Sequence, residues 1–402
     1  MGWHRICQLA RFHEVWGITR VKNRESIEAA MAGEPMPNVH FLYHDLPRWS
    51  RFWKKGRRGI HLYYYLWQVT AFLKARKLHK QVGFDQAHHV TFCNYWMPSF
   101  MALLPVPFQW GPVGGGEAPP FSFWSCYSIR GKIFELLRTV AQRFGEMDPF
   151  LRATARRSAA ALATTDRTAE RLKILGCREI VVYSEAGLPQ DEIERLAAIP
   201  ARRGGIFRLV SLGDLLHLKG FELGLKAFAQ FQRKFPQSEY WLMGEGPERN
   251  RLQRIVRQIG IEKSVKFWGR IPRAEVLKQL EQCDVLVHPS LHDSGGWVCL
   301  EAMAAGRPVV CLDIGGPGLQ VSPQTGFKVK AIAPDQAIAD MAKAMEQLAA
   351  DPELRERMGQ AGRERVRELF AWDKKGEWLR DLCSQIARVE GRAALAEEIE
   401  NA

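Results

Sequence analysis

Between residues 206 and 312, short apolar runs rich in β-branched residues alternate with amphipathic stretches, and no other feature of the chain constrains the fold as tightly. "IFRLVSLG" (206–213) reads as a strand, and "GFELGLKAFAQFQRKF" as a helix with apolar residues at helical spacing. "SEYWLMGEG", "SVKFWGRI", "DVLVHPS" and "RPVVCLD" read as further strands, with "PERNRLQRIVRQIGI" and "RAEVLKQLEQC" as helices between them. Buried, β-branched strands in alternation with helices argue a parallel sheet of doubly wound α/β type.

At 402 residues the chain exceeds one ordinary core, so two domains of about 150–200 residues are expected. The first half is α/β but less regular, with "HEVWGITR", "NVHFLYHD", "FDQAHHVTF", "VPFQWGP", "ALATTD" and "EIVVYSE" as candidate strands. The Pro, Gly and Arg content of "GLPQDEIERLAAIPARRGG" reads as a linker. The expected division is 1–187, 188–369 and a helical tail, 370–402.

No run approaches the roughly 20 apolar residues of a membrane span. "MGWHRICQLARF" lacks the apolar core of a secretory signal, so a cytoplasmic location is expected. The 8 cysteines include no CxxC spacing, which favours buried reduced thiols over a metal or redox site. A formal charge of +13 asks for anionic partners, but no zinc-finger or RRM signature accompanies it, so nucleic acid is not expected.

The densest chemistry lies in "HDSGGWVCLEAMAAGRPVVCL" (292–312). It follows "DVLVHPS", at the carboxyl end of a strand, where doubly wound sheets hold their ligands. Glycines before a helix let backbone approach a ligand and aim N–H groups at an anion. Glu301, expected in the first turn of the helix, can accept two hydroxyls, and Asp293 stands eight positions before it. A phosphate flanked by two polyols, a nucleotide-sugar, suits that layout. Read singly, each acid is also an ordinary loop or helix N-terminal residue favoured by the helix dipole.

This stretch resembles the donor motif of family 4 retaining glycosyltransferases with the GT-B fold, which has two acids eight positions apart ahead of "AMAxGxPVV". The resemblance extends over "SLGDLLHLKGFELGLKAF", "GEGPERNRL", "VKFWGRIPRAEVLKQLEQCDVLVHPS" and "GGP". It implies two Rossmann-like domains facing a cleft, with the carboxy-terminal helices crossing back to the first domain. It also implies that Glu301 binds the nucleotide ribose and that Asp293, where the family usually has Glu, binds the donor sugar. The backbone of Gly295, Gly296, Trp297 and Val298 would face the diphosphate or sugar. Arg270 and Ile271 would line the base, and Gly213, Asp214 and Gly244 would complete the donor side. Lys219 matches the lysine that neutralises the diphosphate, but the family's partner arginine is replaced by Asp214. A carboxylate about 4 Å from a phosphate charge costs about 4 kcal/mol at an effective dielectric near 20. Asp214 is therefore expected to point away, to pair with Lys219, or to be offset by another cation such as His217.

In the first half, "FDQAHHVTF", "WMPSF" and "WGPVGGGE" resemble a bacterial branch of the same transferases that builds surface polysaccharides. The resemblance implies a histidine reaching the transferring sugar, and His88 and His89 both fit. Gly114, Gly115 and Gly116 would present amides on the acceptor side, with Glu117 beside them. Members of the family open with a strand and a glycine-rich turn, whereas this chain starts within what reads as the following helix, so a first strand is expected to be missing. "RWSRFWKKGRRGIHLYYYLWQ" (48–68) interleaves cations with aromatics, suiting either an anionic membrane surface or a solvated basic loop.

The resemblance implies a metal-independent, retaining hexosyl-type transferase without a cofactor. Its donor would be a UDP- or GDP-sugar and its acceptor a glycan or polyprenyl-linked sugar, in polysaccharide or exopolysaccharide synthesis at the inner membrane face. The competing expectations are a weakly active or non-catalytic nucleotide-sugar-binding homologue, favoured by Asp214 and the missing strand, and a nucleotide-sugar epimerase.

Overall fold

The computed structural model describes residues 1–400 apart from Phe52, Lys55, Arg57, Arg58 and Arg203, and does not describe the side chains of Arg48, Arg51 and residues 390–400. Of the basic–aromatic segment 48–68 singled out above, Phe52, Lys55, Arg57 and Arg58 therefore lie outside the described residues.

Two compact units emerge: one comprises Met1–Gly116, Ala141–Tyr183 and Lys375–Ala402, the other Glu117–Val140 and Ser184–Lys374. The first unit holds β1 (Val15–Thr19), β2 (Val39–Tyr43), β3 (Ala87–His89), β4 (Phe108–Val113), β5 (Ser158–Ala163) and β6 (Ile180–Val182). These form a parallel β1–β2 pair and a separate parallel sheet in the order β3-β4-β5-β6. Helix Gly2–Ala10 carries Arg5 into the interior, where its guanidinium donates to Gly111 O at 3.1 Å and to Gln109. The tail packs here as well: Trp378 stacks on Tyr183 with ring centroids 4.5 Å apart, and Leu379 and Cys383 join Leu9 and Leu162 in one apolar cluster.

The second unit is built on β7 (Phe207–Leu212), β8 (Ser238–Met243), β9 (Val265–Gly269), β10 (Val285–His288), β11 (Val309–Leu312) and β12 (Gly326–Val329). Their order is β12-β11-β10-β7-β8-β9, all parallel. The order reverses between β7 and β10, so the carboxyl ends of those two strands form the switch point where such sheets bind ligands. All of β10 and β11 is buried, as strands covered by helices on both faces must be.

Two expectations need correction here. The segment 117–140, read as part of the first domain, belongs to the second unit. Phe123 and Tyr127 sit in the second unit's core, Ser122 Oγ donates to Ile332 O at 2.7 Å, and Arg251 donates to Cys126 O at 3.0 Å. The segment read as a linker contains a helix, Gln190–Ala197, that buries Ile193 and Leu196 against the second core. Its Pro and Gly residues flank the helix, and the two buried apolar residues at i and i+3 decide the local structure.

Truncating a buried leucine loses its transfer energy and leaves a cavity, so Leu196→Ala should destabilise the second unit by about 2–5 kcal/mol. Urea unfolding measures this, and an unchanged midpoint would mean the helix contributes no core.

Candidate functional site

The second unit's site is organised by Asp293. One carboxylate oxygen, Oδ1, accepts from the N–H groups of Gly295 at 3.2 Å and Gly296 at 3.0 Å. The other, Oδ2, accepts from Lys219 Nζ at 2.5 Å and His288 Nε2 at 3.1 Å. A carboxylate has about four lone-pair sites, so these four donors saturate it. Burial opposes ionisation, but the hydrogen bond and charge of His288, together with Lys219, hold the carboxyl well below the usual carboxylate range. The loop is backed by Gly316, whose N–H donates to Asp293 O at 2.8 Å. Neighbouring Gly315 adopts φ +65°, and a Cβ there would overlap Asp293 O.

The glycine amides expected to face a diphosphate are thus turned onto Asp293. The helix they precede, Trp297–Ala304, starts from Gly296 with φ +59°. Glu301 is consequently its fifth residue, in the second turn rather than the expected first. The first-turn amides at half-buried Trp297 and Val298 lack intrahelical acceptors and carry the positive end of the dipole.

Glu301 is buried, and Arg273 donates to its Oε1 at 3.0 Å while also bonding Glu192 from the Gln190–Ala197 helix. Burial raises the Glu301 carboxyl above its ordinary value, opposed by Arg273. Neither partner was evident in the sequence, because Glu192 lay in the supposed linker.

Asp214 pairs with Arg270, 3.0 Å away, with side chains 59% and 74% exposed. Neither Lys219 nor His217 offsets it: Lys219 is on Asp293, and His217 Nε2 lies 3.2 Å from Glu135. Arg270 is therefore engaged by an acid rather than standing apart at a base site, while Ile271 packs against the second core. Gly213 and Gly244 directly follow β7 and β8, where Gly213 N donates to Met243 O at 3.0 Å; a Cβ on Gly244, whose φ is +152°, would overlap Gly213 O.

A second charged cluster adjoins in the same unit. Glu117 is buried 3.8 Å from His292 Nε2, and Arg138 donates to Glu117 O at 2.7 Å and to Glu135 at 3.0 Å. Burial, then Arg138, pushes His292 down to about 4, so it is neutral near pH 7. Glu185 accepts from Ser294 Oγ at 2.8 Å; burial raises its carboxyl, Ser294 opposes this, and Glu117 and Asp293 add to it. Sequence reasoning missed Glu185, His288 and His292. His288 ends β10 at a strand carboxyl end, the one signal that could have found it, whereas Glu185 lies three residues beyond β6.

In the first unit, β3 carries both candidate histidines. His88 Nε2 lies 3.4 Å from Gln86 Oε1, and burial, then Arg5, pushes the ring down to about 3. His89 Nε2 lies 2.6 Å from Tyr64 Oη and 3.1 Å from Thr91 O, and burial pushes it down to about 4. The amides of Gly114 and Gly116 are used internally, on Cys93 O at 2.9 Å and Thr168 Oγ1 at 3.2 Å, contrary to the expectation that they stay open. Gly115 O accepts from Gln142 at 2.9 Å.

This switch-point site, on a six-stranded parallel sheet with a lysine beside a helix N-terminus, lies in a segment with known relatives. Residues 193–365 match the family described as Glycosyl transferases group 1. The glycogen synthase of Mycobacterium tuberculosis (strain CDC 1551 / Oshkosh) is 32% identical over 171 residues, 42% of this chain and 40% of that protein. The lipopolysaccharide core biosynthesis glycosyltransferase LpsD of Rhizobium meliloti is 29% identical over 165 residues, 41% of this chain and 46% of that one. The chain thus spans less than half the length of these relatives. Sucrose-phosphate synthase from Thermosynechococcus elongatus superposes with a TM-score of 0.59 at 18% identity, covering 94% of this chain and 100% of that one. WaaG, a glycosyltransferase involved in lipopolysaccharide biosynthesis, superposes with a TM-score of 0.56 at 16% identity, covering 93% of each. The fold is of the GT-B class, as the sequence led us to expect.

The two histidines of β3 set a pH dependence. An unfolded histidine protonates near pH 6.5, whereas His88 and His89 resist protonation down to about 3 and 4. The unfolded chain therefore binds more protons below pH 6.5. The stability these rings contribute is complete above that pH and is lost as pH falls towards 3–4, by up to about 1.4 kcal/mol per pH unit for each ring. Urea unfolding should give a steeper loss between pH 7 and 5 for the wild type than for His88→Gln with His89→Gln. Parallel losses would refute the assignment.

Proposed function

We propose that the chain is a retaining glycosyltransferase that moves a sugar from a nucleotide-sugar to a glycan or lipid-linked acceptor in surface-polysaccharide synthesis. The observation carrying this reading is the Lys219–Asp293 pair beside the first turn of the Trp297–Ala304 helix, inside the segment that matches the family. A UDP-sugar is the favoured donor, since a neighbour of like fold, Anabaena Alr3699/HepE with a TM-score of 0.54, was solved in complex with UDP. The named role of LpsD in lipopolysaccharide core biosynthesis supports the acceptor class.

In this reading the bond from the anomeric carbon to the diphosphate oxygen breaks, and its electron pair stays on the diphosphate. The acceptor oxygen bonds to the same face of the sugar, and its proton passes to the departing diphosphate oxygen. Lys219 has three N–H donors and Asp293 uses one, which leaves donors for a phosphate oxygen. The first-turn amides of Trp297 and Val298 add to that stabilisation as charge develops. Asp293 is already saturated, so it acts as a positioning residue that aims Lys219. Glu301 accepts the ribose hydroxyls in exchange for Arg273, and Glu117 with His292 forms the acceptor side.

The exposed Asp214–Arg270 pair favours a second reading, a nucleotide-sugar-binding homologue of low activity, because it places an acid where the family has a cation.

Thermal shift against UDP-, GDP- and ADP-sugars, followed by transfer assays, distinguishes the two, since a ligand that binds only the folded state raises its stability. Lys219→Met should lower kcat by about 10²–10³. Glu301→Ala should abolish stabilisation by the donor, and Asp214→Arg should preserve or raise turnover. Nucleotide binding without turnover would select the second reading, and no shift with any donor would remove both.

A further inference from the structure

The sequence "IRGKIFELLRTVAQRFGE" forms the 18-residue helix Ile129–Glu146. Ile129, Ile133, Leu136, Leu137, Val140 and Phe144 recur on it at i, i+4, i+7, i+8, i+11 and i+15, the spacing of one apolar stripe. Such a stripe ordinarily faces a core. Here it faces outwards: Ile129 is 79% exposed, Leu137 64% and Phe144 71%. The opposite side of the helix is the anchored one, with Gly131 and Glu135 buried and Arg138 bonded to Glu135 and to Glu117 O.

The charges on this helix are sorted. At 100° per residue Arg130 flanks the stripe on one side, and Lys132 and Arg143 flank it on the other. Its acids are Glu135, which points inwards to Arg138 and His217, and Glu146, which bonds Arg143 at 3.0 Å and the Tyr95 hydroxyl at 3.0 Å. The outward face therefore carries an apolar band bordered by cations, with no carboxylate on it. Among the described residues no helix is long and apolar enough to cross a membrane, so this one cannot span.

We propose that the outward face of the Ile129–Glu146 helix docks on an anionic phospholipid bilayer. The helix lies in the plane of the interface, its stripe sinks towards the acyl chains, and Arg130, Lys132 and Arg143 meet lipid phosphates on either side. Burial of apolar area and attraction to anionic headgroups act together in such a helix. The inference stands apart from the proposed transfer reaction, because it uses none of the donor-site residues.

Co-sedimentation of the full chain with vesicles of phosphatidylcholine, alone or mixed with phosphatidylglycerol, tests it. The wild type should bind the mixed vesicles, and added salt should weaken that binding. Leu137→Asp with Phe144→Asp should reduce it by about tenfold or more, since both the stripe and its charge match are lost. Both sites are exposed, so the variant should unfold at the wild-type temperature. Arg130→Glu with Lys132→Glu, which leaves the stripe intact, should lose the preference for phosphatidylglycerol. A wild type that binds neither vesicle, or an aspartate variant that binds like the wild type, overturns the proposal. So does a wild-type dimer that the aspartate substitutions convert to a monomer without vesicle binding, which would assign the face to a second copy of the chain.

Discussion

A buried carboxylate must be neutralised, paired or protonated, and the site of the second unit follows from how Asp293 meets that demand. Its four donors come from β10, the loop behind it and the segment after β7, so satisfying one charge fixes three separate pieces of backbone. The contact from Gly316 to the Asp293 carbonyl adds the start of the Gly315–Gln320 helix after β11. The position of Lys219 and the start of the Trp297–Ala304 helix are both consequences of this one ion.

The two acids eight positions apart have opposite electrostatics. Asp293 is held ionised by His288 and Lys219, whereas burial raises Glu301 despite Arg273. Glu185 is raised as well, in part by its acidic neighbours. A fixed anion beside carboxyls that protonate more readily is how one pocket separates a structural charge from groups that exchange protons and hydrogen bonds.

Much of the second unit was legible because β7, β10 and β11 are apolar on both faces, which leaves periodicity little ambiguity. β12 was not read, since "GFKV" is short, sits at the sheet edge and includes the exposed Lys328. The Gln190–Ala197 helix was hidden by its flanking prolines and glycines. Asp293, Glu301 and Lys219 were visible from motif spacing, but the bond between Lys219 and Asp293 joins residues 74 apart and is a product of packing. The same holds for Arg273 on Glu301 and for Arg270 on Asp214, where each charge is legible and its partner is not.

Arg273 holds Glu192 and Glu301 at once, joining a surface helix to the interior of the site. A hydroxyl that Glu301 accepts must share or displace that guanidinium, and the Gln190–Ala197 helix then loses or keeps its anchor accordingly. Linkage makes the exchange symmetric: whatever ligand binding does to that helix, the helix does to ligand affinity. In the proposed donor-binding mode, a stretch that reads as a mere connector thus becomes a thermodynamic lever on the pocket, acting through Arg273.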